Sequence, residues 1–232
     1  MKSQTCLVLG GQGSIGEAIS KRFRVANYDV WQTSRTDMDL SNSILKITGD
    51  PSEDCLTLDE APEFNCVVWA QGANLNDSIV DFDQDQFESV FSANCTFILS
   101  TMNTLLTQDK LKTSARLCVI SSIWQNISRT NKLSYGISKS AVAGLVRSCA
   151  ADLSSRGFLV NAVLPGVLDT PMTRSVLTEE QILRVQSDSG FGRLVQPDDV
   201  ANTVLFLCSE LNNAITGQSI TVDLGYSNVR TI

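Results

Sequence analysis

The strongest constraint on the fold lies in residues 5–23. Thr5-Cys6-Leu7-Val8-Leu9 is a short apolar run that reads as a buried strand. It leads directly into Gly10-Gly11-Gln12-Gly13-Ser14-Ile15-Gly16 and then into Glu17-Ala18-Ile19-Ser20-Lys21-Arg22-Phe23, whose apolar residues recur at helical spacing. A strand that turns through glycines into a helix suits a dinucleotide. Glycines let the backbone approach a pyrophosphate, and the helix start offers unpaired N–H groups and the positive end of its dipole. A glycine-rich turn alone also serves ordinary tight turns, so the rest of the chain has to decide.

Beyond Phe23 the chain keeps alternating. Apolar strands are predicted at 30–33, 44–47, 66–72, 117–120, 158–164 and 218–223. Helical patterns are predicted at 84–107, from about Tyr135 to 153, at 179–185 and at 200–207. No linker-like stretch, internal repeat or low-complexity tract divides the 232 residues, so the expectation is one α/β domain over 1–232.

Composition removes several function classes. Net charge is −7 and no basic run of five occurs, which argues against nucleic acid or an anionic membrane as partner. No apolar span reaches 18 residues, and the five-residue run after Met1-Lys2-Ser3-Gln4 is too short for a signal peptide, so a soluble, cytoplasmic protein is expected. Seven cysteines without Cys-x-x-Cys spacing sit mostly in apolar runs, so neither a disulfide framework nor a metal site is expected. Histidine is absent, which eliminates Ser-His-Asp and Cys-His catalysis. Proton transfer falls to Tyr, Lys, Asp, Glu or Ser.

A tyrosine is well placed for that task. The run Leu117-Cys118-Val119-Ile120 breaks at Ser121-Ser122 and is followed by Tyr135-Gly136-Ile137-Ser138-Lys139. On a helix, Tyr135 and Lys139 share a face. Moving a tyrosine from about 10 to near pH 7 takes roughly 4 kcal/mol. A unit charge at 4 Å supplies about 1 kcal/mol in water and about 4 at an effective dielectric of 20, so the pair works only in a closed site, best with a second cation. Tyr-x-x-x-Lys behind a strand and Ser-Ser, ahead of Ala141-Val142-Ala143-Gly144, resembles the short-chain dehydrogenase/reductase family.

The resemblance runs from Thr5 to Tyr226 and implies a single doubly wound Rossmann domain, a seven-stranded parallel sheet flanked by helices. It implies Asn94, Ser122, Tyr135 and Lys139 as the catalytic set, with Tyr135 the general acid, Lys139 lowering its pKa and binding ribose, Ser122 holding the substrate oxygen and Asn94 completing a proton relay through water. Asn94 also reads as a satisfied buried amide on an otherwise apolar stripe. The family's Gly-x-x-x-Gly-x-Gly maps onto Gly10, Ser14 and Gly16, with Ser14 in place of the middle glycine, and Gln12 and Ile15 belong to the same cofactor turn. Where the family shows Asn-Asn-Ala-Gly this chain has Trp69-Ala70-Gln71-Gly72, which keeps the small residues Ala70 and Gly72 against the cofactor and leaves Trp69 and Gln71 as departures. Pro165-Gly166-Val167, followed by Thr170, resembles the family's nicotinamide-holding Pro-Gly-x-x-x-Thr-Pro.

Cofactor choice is read after the second strand. Ser34-Arg35 leaves room and a forked cation for a 2′-phosphate, where an acid would select NAD, so NADP(H) is favoured over NAD(H); the competing reading makes Arg35 a solvated turn residue. Asp50 falls where the family places an acid near adenine, Asp39 is its alternative, and both also suit turns. The resemblance implies a homotetramer or homodimer, a mobile flap at about 171–193 and a small carbonyl or alcohol substrate. Residues 123–127 and the flap predict a pocket with apolar walls and few charges. Two functions remain: an NADP(H)-dependent ketoreductase, and a catalytically silent dinucleotide-binding sensor, which is disfavoured because all four catalytic side chains are present.

Overall fold

The computed structural model describes residues 4–34, 44–46, 58 and 61–229. Seven parallel strands form one sheet: β1 (Thr5–Leu9), β2 (Asp29–Ser34), β3 (Ile44–Lys46), β4 (Phe64–Trp69), β5 (Leu111–Ile120), β6 (Leu159–Pro165) and β7 (Ser219–Val222). Their order is β3-β2-β1-β4-β5-β6-β7. The chain winds outward from β1 to β3, returns to place β4 against the other side of β1, and winds outward again. The carboxyl ends of β1 and β4 therefore flank the point where the winding reverses, and this is where such sheets open a crevice.

The two faces of the sheet are read off the alternation of side chains along each strand. In β1, Leu7 and Leu9 point to one core, with Trp69, Leu117 and Val119, while Cys6 and Val8 point to the other, with Val68, Cys118 and Ile120. Burial on both sides explains why these strands are continuous apolar runs. The first core is covered by α3 (Phe97–Thr107) and α4 (Leu133–Leu153), the second by α1 (Ser14–Val25) and α7 (Pro197–Cys208). α2 (Gln84–Phe91) precedes α3, and α5 (Pro171–Val176) and α6 (Glu179–Asp188) lie between β6 and α7.

Three boundaries differ from the sequence reading. β4 ends at Trp69, so Ala70, Gln71 and Gly72 form the loop beyond it. β5 begins at Leu111, through polar residues that give no apolar signal. The helix expected over 84–107 is interrupted by a π turn at Ser92–Thr96. Trp69, a departure from the family pattern, is accommodated because its ring is fully buried and its indole N–H donates to Thr101 Oγ1 at 2.8 Å. The described cysteines are all free, and five of the six are buried. No helix among the described residues is long and apolar enough to cross a membrane.

Candidate active site

The carboxyl ends of β1, β4, β5 and β6 open into a cleft of about 1040 Å³. At its β1 end lies the glycine turn. Gly10 takes φ +78°, a left-handed conformation that glycine alone adopts without strain, and a Cβ there would stand 2.7 Å from the backbone nitrogen of Gln71. A Cβ on Gly16 would fall 2.1 Å from the carbonyl oxygen of Gly10, so the turn is folded flat onto the start of α1. Ser14 is already helical, which any residue tolerates, and this explains why it replaces the family's glycine. Gly13 caps α1 without a side-chain hydrogen bond, leaving the helix start to face the cleft. Both polar atoms of the Gln71 side-chain amide are buried there with no partner among the described residues. A backbone cradle, an open helix start and an orphaned amide together fit a dinucleotide.

The β5 end brings three of the expected catalytic residues together. β5 delivers the chain to Ser122, whose Oγ accepts from Trp124 N at 3.3 Å and caps a short 3₁₀ turn, Ile123–Gln125. α4 then starts at Leu133, so Tyr135 occupies its first turn and Lys139 the next. Tyr135 and Ser122 both line the cleft. Lys139 Nζ lies 5.7 Å from the centre of the Tyr135 ring and donates to Ile120 O at 3.2 Å. Burial pushes the Tyr135 hydroxyl above its ordinary value, opposed by the nearby Ser122 hydroxyl, and burial pulls Lys139 down to about 8. Desolvation thus governs both groups, and the expected lowering of Tyr135 depends on a second cation beside Lys139.

Asn94 stands behind them and does not line the cleft. The π turn carries it inward to zero exposure, where its amide nitrogen donates to Ala73 O (3.0 Å) and Ser138 Oγ (2.9 Å) and its oxygen accepts from Ala73 N (2.9 Å). A Cβ on Gly72 would lie 2.8 Å from Asn94 Oδ1 and 3.4 Å from Lys139 Nζ, so the loop after β4 is pinned between asparagine and lysine. The two sequence readings of Asn94 meet here: it is a satisfied buried amide, and it sits beside the Lys139 ammonium. Its side chain reaches backbone and Ser138, and the only sequence signal for the π turn is the small, polar run Ser92-Ala93-Asn94-Cys95-Thr96.

The remaining expected cofactor residues fall into three groups. Gln12, Ile15, Ala70, Gly166, Val167 and Thr170 line the cleft. Gly166 N donates to Val222 O at 2.9 Å, the Val167 carbonyl accepts from Val195 N at 3.2 Å, and the Thr170 hydroxyl caps α5 by accepting from Thr173 N at 3.2 Å. Pro165 ends β6 opposite Val222, behind the cleft wall. Ser34 ends β2, whereas Arg35, Asp39 and Asp50 lie outside the described residues.

Sequence reasoning missed two cations. The residues of 123–127 and of the flap that line the cleft carry no charged side chain, as expected, and the charges come from Arg129 and Lys132, outside those segments. Lys132 is 8% exposed; its Nζ donates to Leu75 O at 3.2 Å and to Asn74 Oδ1, and stands 5.2 Å from the centre of the Tyr135 ring. Arg129 lies over the Trp124 ring at 5.5 Å. Asp77, buried in the same loop, accepts from Ser134 N at 3.0 Å and from the Ser134 hydroxyl, supplying from a distant segment the cap that α4 lacks locally. No local pattern announces these contacts, because the partners are more than fifty residues apart. Among the described residues no group of three or more His, Cys, Asp or Glu side chains is placed to hold a metal ion.

A family model described as enoyl-(acyl carrier protein) reductase matches residues 57–227, which include β4 through β7. The chain belongs to the short-chain dehydrogenase/reductase family. Within it, the chain is similar to 3-oxoacyl-(acyl-carrier-protein) reductase FabG of Aquifex aeolicus, 39% identical over 60% of this chain and 56% of that protein. It is similar to the FabG of Chlamydia pneumoniae along nearly its whole length, 26% identical over 94% of this chain and 95% of that one. The crystal structure of a short-chain dehydrogenase family protein from Francisella tularensis superposes with a TM-score of 0.86 at 25% identity, covering 97% and 99% of the two chains. This short-chain dehydrogenase/reductase is therefore an oxidoreductase acting on CH–OH and C=O groups, and the family works with nicotinamide cofactors.

Proposed function

We propose that the chain is an NADP(H)-dependent ketoreductase in which Tyr135 donates the proton to the carbonyl oxygen. The observation that carries this reading is that Ser122 and Tyr135 line one end of a cleft, with Lys139 buried beside the Tyr135 ring, and that the other end is the glycine turn with the Gln71 amide, unpartnered among the described residues. Gly10, Gln12, Ser14, Ile15 and Gly16 would hold the pyrophosphate, Ser34 and Arg35 the adenosine phosphate, Ala70, Gln71 and Gly72 the riboses, and Gly166, Val167 and Thr170 the nicotinamide, with Pro165 fixing the backbone that presents them. When bound, the cofactor supplies the hydride.

The chain's own residues handle the proton. Ser122 holds the substrate oxygen beside the phenol, so the Tyr135 O–H is aimed at the atom where negative charge develops. A raised phenol remains protonated at neutral pH, as a donor should. The Lys139 ammonium, fixed by Ile120 O and backed by the Asn94 loop, favours the phenolate left behind and replaces its proton by way of neighbouring groups. The likeness to 3-oxoacyl reductases supports a ketone as the reducible group.

The test follows NADPH absorbance with a panel of ketones. A substrate should be found, and Tyr135→Phe should cut its turnover by at least about 10²-fold while NADPH still binds. Wild-type turnover in Tyr135→Phe would refute the assignment and direct the search to the carboxylates.

A further inference from the structure

The cleft differs in charge from the chain that forms it. The sequence carries 25 acidic side chains against 18 basic ones, yet no Asp or Glu is among the described residues lining the cleft, while Arg129 and Lys132 are. Both cations stand at the β5 end, around Trp124 and Tyr135, and the glycine turn that suits the cofactor's phosphates is at the β1 end.

Lys132 donates to a side-chain amide oxygen and a backbone carbonyl, and Arg129 rests on an aromatic face; among the described residues neither takes part in an ion pair. Among the described residues the carboxylate that acts on Lys132 is Asp77, beyond ion-pair distance and hydrogen-bonded through both oxygens to Ser134. Burying an ammonium on neutral acceptors beside a second cation is unfavourable, and burial together with Arg129 pulls Lys132 down to about 8. Arg129 is exposed and Lys132 is enclosed, and both line the cleft that Tyr135 lines. An arriving anion would offset this unfavourable charge.

We propose that Lys132 and Arg129 form an anion subsite, and that the substrate is a carbonyl compound carrying a carboxylate or phosphate a few bonds from the reducible carbon. The inference rests on Tyr135 donating to that carbonyl. With Nζ 5.2 Å from the ring centre, an anion on Lys132 leaves space for a short keto acid or keto phosphate to present its carbonyl to the phenol. The competing role for Lys132 is to act only on Tyr135, and it makes a different prediction, because such an effect falls equally on charged and neutral substrates.

Matched pairs separate these roles: acetoacetate against methyl acetoacetate, and dihydroxyacetone phosphate against dihydroxyacetone, each with NADPH. The wild type should prefer one anion over its neutral partner by roughly tenfold or more in kcat/KM, and which pair shows it distinguishes carboxylate from phosphate. Lys132→Met should collapse that ratio, Lys132→Arg should retain most of it, and Arg129→Ala, at an exposed position that does not endanger folding, should reduce it. A wild-type ratio below about twofold in both pairs, or an equal fall on both partners in Lys132→Met, overturns the proposal. Calorimetric titration of the free protein with 3-hydroxybutyrate and with glycerol 3-phosphate supplies a readout that does not need turnover. Lys132-dependent binding without reduction of any ketone keeps the anion site and removes the reductase reading. Reduction of neutral ketones with no anion preference does the reverse.

Discussion

Replacing Asn94 by alanine tests how the site is held. The asparagine makes three hydrogen bonds of 2.9 to 3.0 Å, two to the backbone of Ala73 and one to Ser138, at zero exposure. At about 1 kcal/mol each, their loss comes to about 3 kcal/mol, since the Ala73 groups are only part-buried and water can reach them once the side chain is gone. For a chain of this length each kcal/mol shifts Tm by about 2–4 °C, so Asn94→Ala should melt about 6–12 °C below the wild type in a calorimetric scan. The neighbouring Cys95→Ala is the control: its thiol makes one weak contact, to Ser138 O at 3.1 Å, and Tm should move far less. The loop after β4 carries Gln71 and Gly72 against the cleft, so Asn94→Ala should also weaken cofactor binding beyond what the fall in stability explains. A shift below about 3 °C would show that the loop is held by something other than this amide and would refute the account of the π turn.

Two further predictions concern the cofactor turn. Gly16→Ala places a Cβ 2.1 Å from Gly10 O, which backbone cannot accommodate, so dinucleotide affinity measured by fluorescence titration should fall by at least about tenfold; unchanged affinity would mean that the turn does not hold the pyrophosphate. NADPH should bind at least about tenfold more tightly than NADH, and Arg35→Ala should remove most of that gap, whereas equal affinities in the wild type would sink the Ser34-Arg35 reading.

How much of the fold and the site is legible in the sequence depends on whether the signal is local. The strands flanking the switch point are buried on both faces and read as unbroken apolar runs, and the Tyr135–Lys139 pair is fixed by the helical repeat alone. β5 looks short in sequence because residues 111–116 mix Lys112, Thr113 and Arg116 with apolar neighbours, and the helix over 84–107 looks continuous because its hydrophobic period carries across the π turn. α5 falls inside the expected flap, although Thr170-Pro171, a cap followed by proline, announces a helix start. Lys132 is silent in the sequence for a different reason. Its importance arises from Asn74, Leu75 and Tyr135 converging on it, and only Tyr135 is close in sequence. Tertiary desolvation likewise decides the sign of the Tyr135 shift, and spacing carries no information about burial.

That sign changes which residue owns the pH dependence. In a closed site with a second cation beside Lys139, Tyr135 is the group expected to titrate near neutral pH. Burial of the hydroxyl raises its proton affinity, opposed by the neighbouring Ser122 hydroxyl. The groups that lie near 8 are the two lysines, both lowered by burial. A lysine lowered to about 8 is charged below that pH and loses its charge as pH rises through it, while Tyr135 stays protonated over the same range. Reduction of a neutral ketone should therefore be level from about pH 6 to 7 and fall through about pH 8 as Lys139 discharges, with the proton donor itself intact. If Lys139 owns the limb, it survives in Lys132→Met; if Lys132 owns it, it disappears there. The reverse oxidation needs the phenolate, so its rising limb should lie at higher pH than the falling limb of reduction in the same buffers. Coincident limbs near neutral pH would return the titration to the tyrosine and show that burial does not set its proton affinity.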